Sequence, residues 1–244
     1  MIRGILFDLN GTLIDILTDE GDPAIFRTVA NFLNYRNLEM SPEECRDFYF
    51  DHNRKQRHDS PEKYPEFDVT AIFRDMIAAA RPLAGTVPAD DELPRVLSQI
   101  FRAASRKKLA LYDQAIPILR ELRRHYRLEA VSDGQRIWAE PEWRQCGLDE
   151  FFTAPVVSSD YGYRKPDERL FRHGLARIGL KPEETIYVGN DLYRDVLGAA
   201  RLGMKTVFFR SNQGDWTEQE REPDYRIYSL SELPAAISFL AARA

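Results

Sequence analysis

The chain has few of the features that staple or anchor small proteins. Only two cysteines occur in 244 residues, Cys45 and Cys146, far apart and outside any cluster of metal-ligating residues. That excludes a multi-disulfide framework or a cysteine zinc site and points to buried thiols in a reducing compartment, with a single disulfide as the lesser alternative. No stretch approaches the roughly 18 consecutive apolar residues of a membrane span. Neither sign of charge dominates: 34 basic and 39 acidic residues leave a net charge of -5, so neither a nucleic acid nor a membrane partner is expected. The opening MIRGILFDLN enters a strand pattern directly, without the charged, apolar and small-residue succession of an export signal, which predicts a cytoplasmic protein. There is no internal repeat. Histidine is scarce, with four in all; His52 and His58 lie near Asp51 and Asp59 but without metal-site spacing, and His125 and His173 sit among arginines.

What is present is an alternation of short apolar runs with helical periodicity. Ile2 to Phe7, Leu128 to Ser132, Ala154 to Ser158, Thr185 to Gly189 and Lys205 to Phe209 read as buried strands. Asp113 to Tyr126, Ile137 to Cys146, Asp167 to Ile178 and Leu192 to Leu202 repeat apolar residues at spacings of three and four, and a last helix starts near Ser231. This pattern predicts an α/β fold with a doubly wound parallel sheet. Between Ile16 and Ser105 the rhythm changes to successive helices, Pro23 to Asn37, Pro42 to Arg54, Asp68 to Ala80 and Asp90 to Lys107, without a convincing strand. Residues 16–105 are therefore expected to form an inserted all-helical cap on a core of residues 1–15 and 106–244. The polar stretch from Asp51 to Asp68 is expected to contain a mobile loop. An insert that follows the first strand overhangs the strand ends where open parallel sheets bind ligands, and can act as a lid.

Asp8 ends the first strand and precedes Asn10, Gly11 and Thr12 in a turn, where backbone amides can converge on an anion. Taken alone, it is either a turn former or a nucleophile. Ser132 and Asp133 of VSDG end the second core strand, Lys165 of YRKPDERLF precedes a helix, and Asn190, Asp191 and Asp195 of VGNDLYRDVLGA follow a later strand. Individually, Ser132 also reads as a helix cap and Lys165 as a solvated charge. Trp138, Trp143 and Trp216 read as packing anchors, with Trp138 near enough to the second strand end to touch a substrate. The basic run RELRRHY reads as an exposed helix face.

Four segments together, FDLNGTLID, VSDG, RKPD and GNDLYRD, resemble in order the four motifs of the haloacid dehalogenase superfamily, from Met1 to about Arg210. The resemblance implies a Rossmann-like core with a helical cap inserted after the first motif. It also implies Asp8 as nucleophile, forming an aspartyl-phosphate in members that are phosphatases. Ser132 and Lys165 would bind and neutralise the phosphoryl group, beside Gly11, Thr12, Asp133 and Gly134 at the substrate. Mg²⁺ would be held among Asp8, Asn10, Asn190, Asp191 and Asp195.

Two positions depart from that pattern. Asn10 stands where phosphatases carry a second aspartate that protonates the leaving oxygen and then activates water; losing such a group costs about 10²–10⁴ in rate, about 3–5 kcal/mol of barrier. Asn190 stands where the fourth motif carries its first aspartate, weakening the metal site. The preferred expectation is a Mg²⁺-dependent phosphatase of a small phosphorylated metabolite, a monomer or homodimer. A metal-free 2-haloacid dehalogenase, whose halide leaves without a proton, and a catalytically degenerate binding protein remain the alternatives.

Overall fold

The structure is a computed structural model that describes residues 1–83, 91–217 and 219–243. Two compact units emerge, Met1–Ile16 with Leu109–Ala244, and Leu17–Lys108. Strand β1 (Gly4–Phe7) is wholly buried, and after a tight loop β2 (Ile14–Thr18) leads into the second unit.

That unit is helical because its apolar residues recur on one face of each helix. In α1 (Pro23–Tyr35), Ile25, Phe26, Val29, Ala30 and Leu33 are buried, and Asp22 caps the start by accepting from the Ala24 amide at 2.9 Å. After β3 (Leu38–Glu39), α2 (Pro42–Asp59) opens on a reciprocal capping box between Ser41 and Glu44. It runs five residues beyond the predicted end at Arg54, through part of the stretch expected to be a mobile loop. Its apolar signal is weak because only Cys45 and Tyr49 are buried. Local contacts support the polar half, with His52 stacked 3.7 Å from the Phe48 ring and Arg54 paired to Asp51. Next come α3 (Val69–Ala79), β4 (Arg81–Pro82), which pairs antiparallel with β3, and α4 (Leu93–Ser105). The predicted start of that last helix at Asp90 lies outside the described residues. Tyr49, Phe26 and Phe73 pack on Phe101 at ring separations of 4.4, 5.9 and 5.6 Å. The short strands correct the expectation of a strand-free insert.

The chain returns through β5 (Arg106–Leu111), which pairs with β2. Then follow α5 (Ala115–Leu122), β6 (Arg127–Ser132), α6 (Arg136–Gln145), β7 (Val156–Val157), α7 (Glu168–Ile178) and β8 (Thr185–Gly189). A π-helix, Leu192–Leu197, runs into α8 (Gly198–Arg201). Strands β9 (Lys205–Phe209) and β10 (Tyr225–Ile227) and helix α9 (Leu233–Ala241) complete the unit. The six-stranded sheet has the order β10-β9-β8-β1-β6-β7, with all its pairs parallel. Strand alternation divides its core: Ile5, Phe7, Ile186 and Val188 face one side, Leu6, Val131 and Tyr187 the other. From β1 the chain winds outward through β6 and β7, then crosses to β8 on the other flank. The carboxyl end of β1 is thus the topological switch point, where open α/β sheets leave a crevice for ligands.

Candidate active site

Asp8 lies at that switch point, 4% exposed, its amide donating to the Val188 carbonyl at 2.9 Å. The following loop is tight because the Leu9 carbonyl accepts from the amides of Thr12, Leu13 and Ile14 at 3.2, 2.9 and 2.8 Å. Gly11 has φ +86°, and a Cβ there would meet Asn190 Nδ2 at 2.2 Å, so glycine is required twice over. Both carboxylate oxygens of Asp8 have a donor: Lys165 Nζ reaches Oδ1 at 2.7 Å and Thr12 Oγ1 reaches Oδ2 at 3.0 Å.

Lys165 is 3% exposed and also donates to Asp195 Oδ1 at 2.6 Å and Tyr187 Oη at 3.1 Å. Burial alone would favour the neutral amine, but Asp195 and Asp8 more than reverse this and raise its pKa well above the usual lysine range. Burial pushes the Asp195 carboxyl up to about 6, against the pull of Lys165 and with the push of Asp8. Lys165 is therefore held as the ammonium at neutral pH. The second Asp195 oxygen accepts from the amides of Asn190 and Asp191, at 3.1 Å each.

Asp191 and Asp195, both expected to ligate metal, thus have their oxygens engaged within the protein. Asp191 caps the π-helix, accepting from the Tyr193 and Arg194 amides at 3.0 and 2.7 Å, while its other oxygen takes Arg194 Nε at 2.8 Å and the Asp215 amide at 3.3 Å. Asp133 accepts from the Lys165 amide at 2.9 Å and faces Arg194 and Arg164 at 3.5 and 3.6 Å. It ties the second, third and fourth motif segments together. Ser132 is buried, its hydroxyl 3.4 Å from the Asp133 carbonyl. The Gly134 amide donates to Ser158 Oγ at 2.9 Å. Asn10 is half-buried in the loop.

Asp8, Thr12, Lys165, Asn190 and Asp195 form one contiguous cluster. Tyr187, Arg194 and Ser211 join it without having been singled out from sequence; a tyrosine inside the buried run TIYVG was the readable signal for the first. Trp138 and Trp143 are buried as expected of packing anchors, whereas Trp216 is 43% exposed, with the Arg210 guanidinium 5.1 Å over its ring. Cys45 is buried but Cys146 is only half-buried, and both are free thiols.

Among the described residues no three His, Cys, Asp or Glu side chains group as a metal cage. A mixed oxygen set exists instead. Thr12 Oγ1 lies 3.0 Å from Asp8 Oδ2 and 3.3 Å from Asn190 Oδ1, so three oxygens share a single hydroxyl proton. Around them four carboxylates, Asp8, Asp133, Asp191 and Asp195, face three cations, Lys165, Arg194 and Arg164. One negative charge is left in excess beside oxygen donors. That chemistry fits Mg²⁺, which takes one or two protein carboxylates and keeps water or phosphate as its other ligands.

A family profile described as haloacid dehalogenase-like hydrolase matches residues 5–209. Glyceraldehyde 3-phosphate phosphatase of Methanocaldococcus jannaschii is 30% identical over 237 residues, which cover 96% of each chain. A 2-haloacid dehalogenase from Pseudomonas syringae pv. Tomato superposes with a TM-score of 0.71 at 20% identity, covering 98% of this chain and 100% of that one. A HAD phosphatase from Thermococcus onnurineus gives a TM-score of 0.63 at 23% identity, covering 97% and 98%. At these identities the two structures establish the shared fold.

Proposed function

This chain belongs to the haloacid dehalogenase-like hydrolases, and from that premise we propose that it is a Mg²⁺-assisted phosphatase of a small phosphorylated metabolite, with Asp8 as nucleophile. The observation that carries this reading is the buried Asp8 carboxylate at the switch point, oriented by Lys165 and Thr12. An oxygen of Asp8 attacks phosphorus, the bond from phosphorus to the leaving oxygen breaks, and an aspartyl-phosphate forms. Water then attacks phosphorus, releasing inorganic phosphate and restoring the carboxylate. Lys165 stabilises charge that moves from Asp8 onto the phosphoryl oxygens, and its link to Asp195 holds its ammonium in place. Bound Mg²⁺, held by Asp8 and the Asn190 carbonyl with Asn10 alongside, would screen repulsion between phosphate and carboxylate.

Asn10 offers an amide where proton transfer is needed. The leaving oxygen must then take its proton from solvent, and the hydrolytic water lacks a base. Rates should fall steeply as the leaving group becomes less acidic, and phosphorylated Asp8 should accumulate. Glyceraldehyde 3-phosphate is the first substrate to test, because the whole-length relative is named for that activity.

The decisive experiment compares that substrate, aryl and alkyl phosphates of graded leaving-group acidity, and 2-haloacids, each with and without Mg²⁺. Mg²⁺-dependent phosphate release that Asp8→Ala abolishes supports the reading. Halide release without metal would replace it with a dehalogenase, the reaction that Asn10 impairs least.

A further inference from the structure

The Asn190 side chain has two ends of opposite chemistry, and which end faces Asp8 decides what the site can bind. With Oδ1 toward Thr12 and Asp8, the amide adds an acceptor to an oxygen-rich point. With Nδ2 there, it would donate to Asp8 and oppose a cation. In the structure Oδ1 lies 3.3 Å from Thr12 Oγ1, and Nδ2 points the other way, 3.5 Å from Ser211 Oγ.

Ser211 follows β9 and is 7% exposed. Its proton faces two acceptors other than Asn190: the Gln213 carbonyl at 3.2 Å and the phenol oxygen of Tyr112, whose own proton goes to Asn212 Oδ1. The Ser211 oxygen is therefore left as an acceptor, also receiving the Gln213 amide at 3.3 Å, and it can receive an NH₂ but has no proton for a carbonyl. Two glycines complete the clamp. A Cβ on Gly11 would lie 2.2 Å from Asn190 Nδ2, and a Cβ on Gly214, at φ +97°, would lie 2.8 Å from Nδ2 and 2.2 Å from the Asn190 carbonyl. The loop is docked further by the Leu192 amide on the Asp215 carbonyl at 2.9 Å and by Gln213 Nε2 on Asp15 Oδ1 at 2.8 Å.

From this geometry we infer that Ser211 is a positioning residue that holds Asn190 with its carbonyl toward Asp8, so that an asparagine can serve a divalent cation at this position. The inference rests on the metal-assisted reading above. A carboxylate has two equivalent oxygens and needs no such orientation, so the requirement for Ser211 should vanish in an Asn190→Asp background.

The test is Mg²⁺ binding by the full chain, measured by calorimetry without substrate, for wild type, Ser211→Ala, Asn190→Asp and the double variant, with melting curves for each. Ser211→Ala should weaken Mg²⁺ binding about tenfold or more, the scale of losing a group that orients a metal ligand. Asn190→Asp and the double variant should agree within about twofold. If Ser211→Ala is unfolded, Ser211→Thr and Ser211→Cys replace it; the first keeps a hydroxyl and should bind as wild type does, the second should not. Equal affinity of wild type and Ser211→Ala overturns the inference, as does the same loss in both backgrounds. No saturable uptake by wild type refutes metal assistance itself and the inference with it. Binding by wild type alongside either overturning pattern refutes Ser211 alone.

Discussion

Lys165→Met replaces the buried ammonium by an apolar side chain of similar length, and Asp8 and Asp195 then lose the one cation that bonds to both. The lost contacts are Asp8 at 2.7 Å and Asp195 at 2.6 Å. At an effective dielectric of about 20 each is worth about 6 kcal/mol of direct attraction. Most of that is offset in the native protein by desolvation of three charges and by repulsion between the two carboxylates. The net loss on stranding buried charge is typically about 3–5 kcal/mol, or roughly 6–20 °C in melting temperature for a unit of this size. The variant should also acquire a pH signature. Burial already pushes Asp195 up to about 6 against the pull of Lys165; without the lysine, Asp195 holds its proton more tightly still. A carboxyl whose folded pKa lies above its unfolded value contributes stability that is complete below about pH 4 and is lost as pH rises through the folded value. The gap between variant and wild type should therefore narrow as pH falls from 8 to 5.5. Melting by near-ultraviolet dichroism across that range measures both effects. A variant that melts within about 2 °C of wild type at pH 7.5, with no pH trend, would refute the description of this cluster.

Asn10→Asp should raise turnover of alkyl phosphates about 10²-fold by restoring a proton carrier, measured as phosphate release with Mg²⁺ present; an unchanged rate in a folded, metal-loaded variant counts against the phosphatase reading. Asp191→Asn should keep the helix cap and leave Mg²⁺ affinity within about threefold, whereas Asp191→Ala should cost about 1–2 kcal/mol of stability; a large loss of affinity in the asparagine variant would make Asp191 a ligand. Burial pushes the Cys45 thiol up to about 12. A thiol reagent at pH 8 should therefore label Cys146 first, and rapid labelling of Cys45 in the native protein would contradict its burial.

The parts of the fold that were legible are those where one physical signal dominates. Strands β8 and β9 match their predicted bounds because a strand covered on both faces reads as an uninterrupted apolar run. Strand β10, only Tyr225–Ile227 with Arg226 exposed, and strand β5, with Lys107 and Lys108 exposed, carry too little apolar contrast to stand out. The polar half of α2 carries as little contrast. In the site, Asp8 and Lys165 were legible from strand-end position and motif order. Their partners were not, because nothing local relates Tyr187 to Lys165 or Ser211 to Asn190; those pairings arise only when separate strand ends meet. Asp191 is the opposite case: its place as a helix cap has a local signal, an Asp followed by an apolar-periodic run.

The switch-point arrangement also has a temporal consequence. The partners of Asp8 span nearly the whole chain: Lys165 lies 157 positions away in sequence, and Thr12 is shared with Asn190, 178 positions further on. A ribosome must make half of the sheet's strands before the first strand's carboxylate meets its counter-charge. Contacts this remote in sequence form late and slow folding, so the acidic end of β1 must wait for its counter-charge with only the nearby Thr12 hydroxyl to bond it. A chain stopped before β8 would carry Asp8 yet lack Asn190 and Asp195, so on the proposed function an incomplete copy of the protein should be inactive.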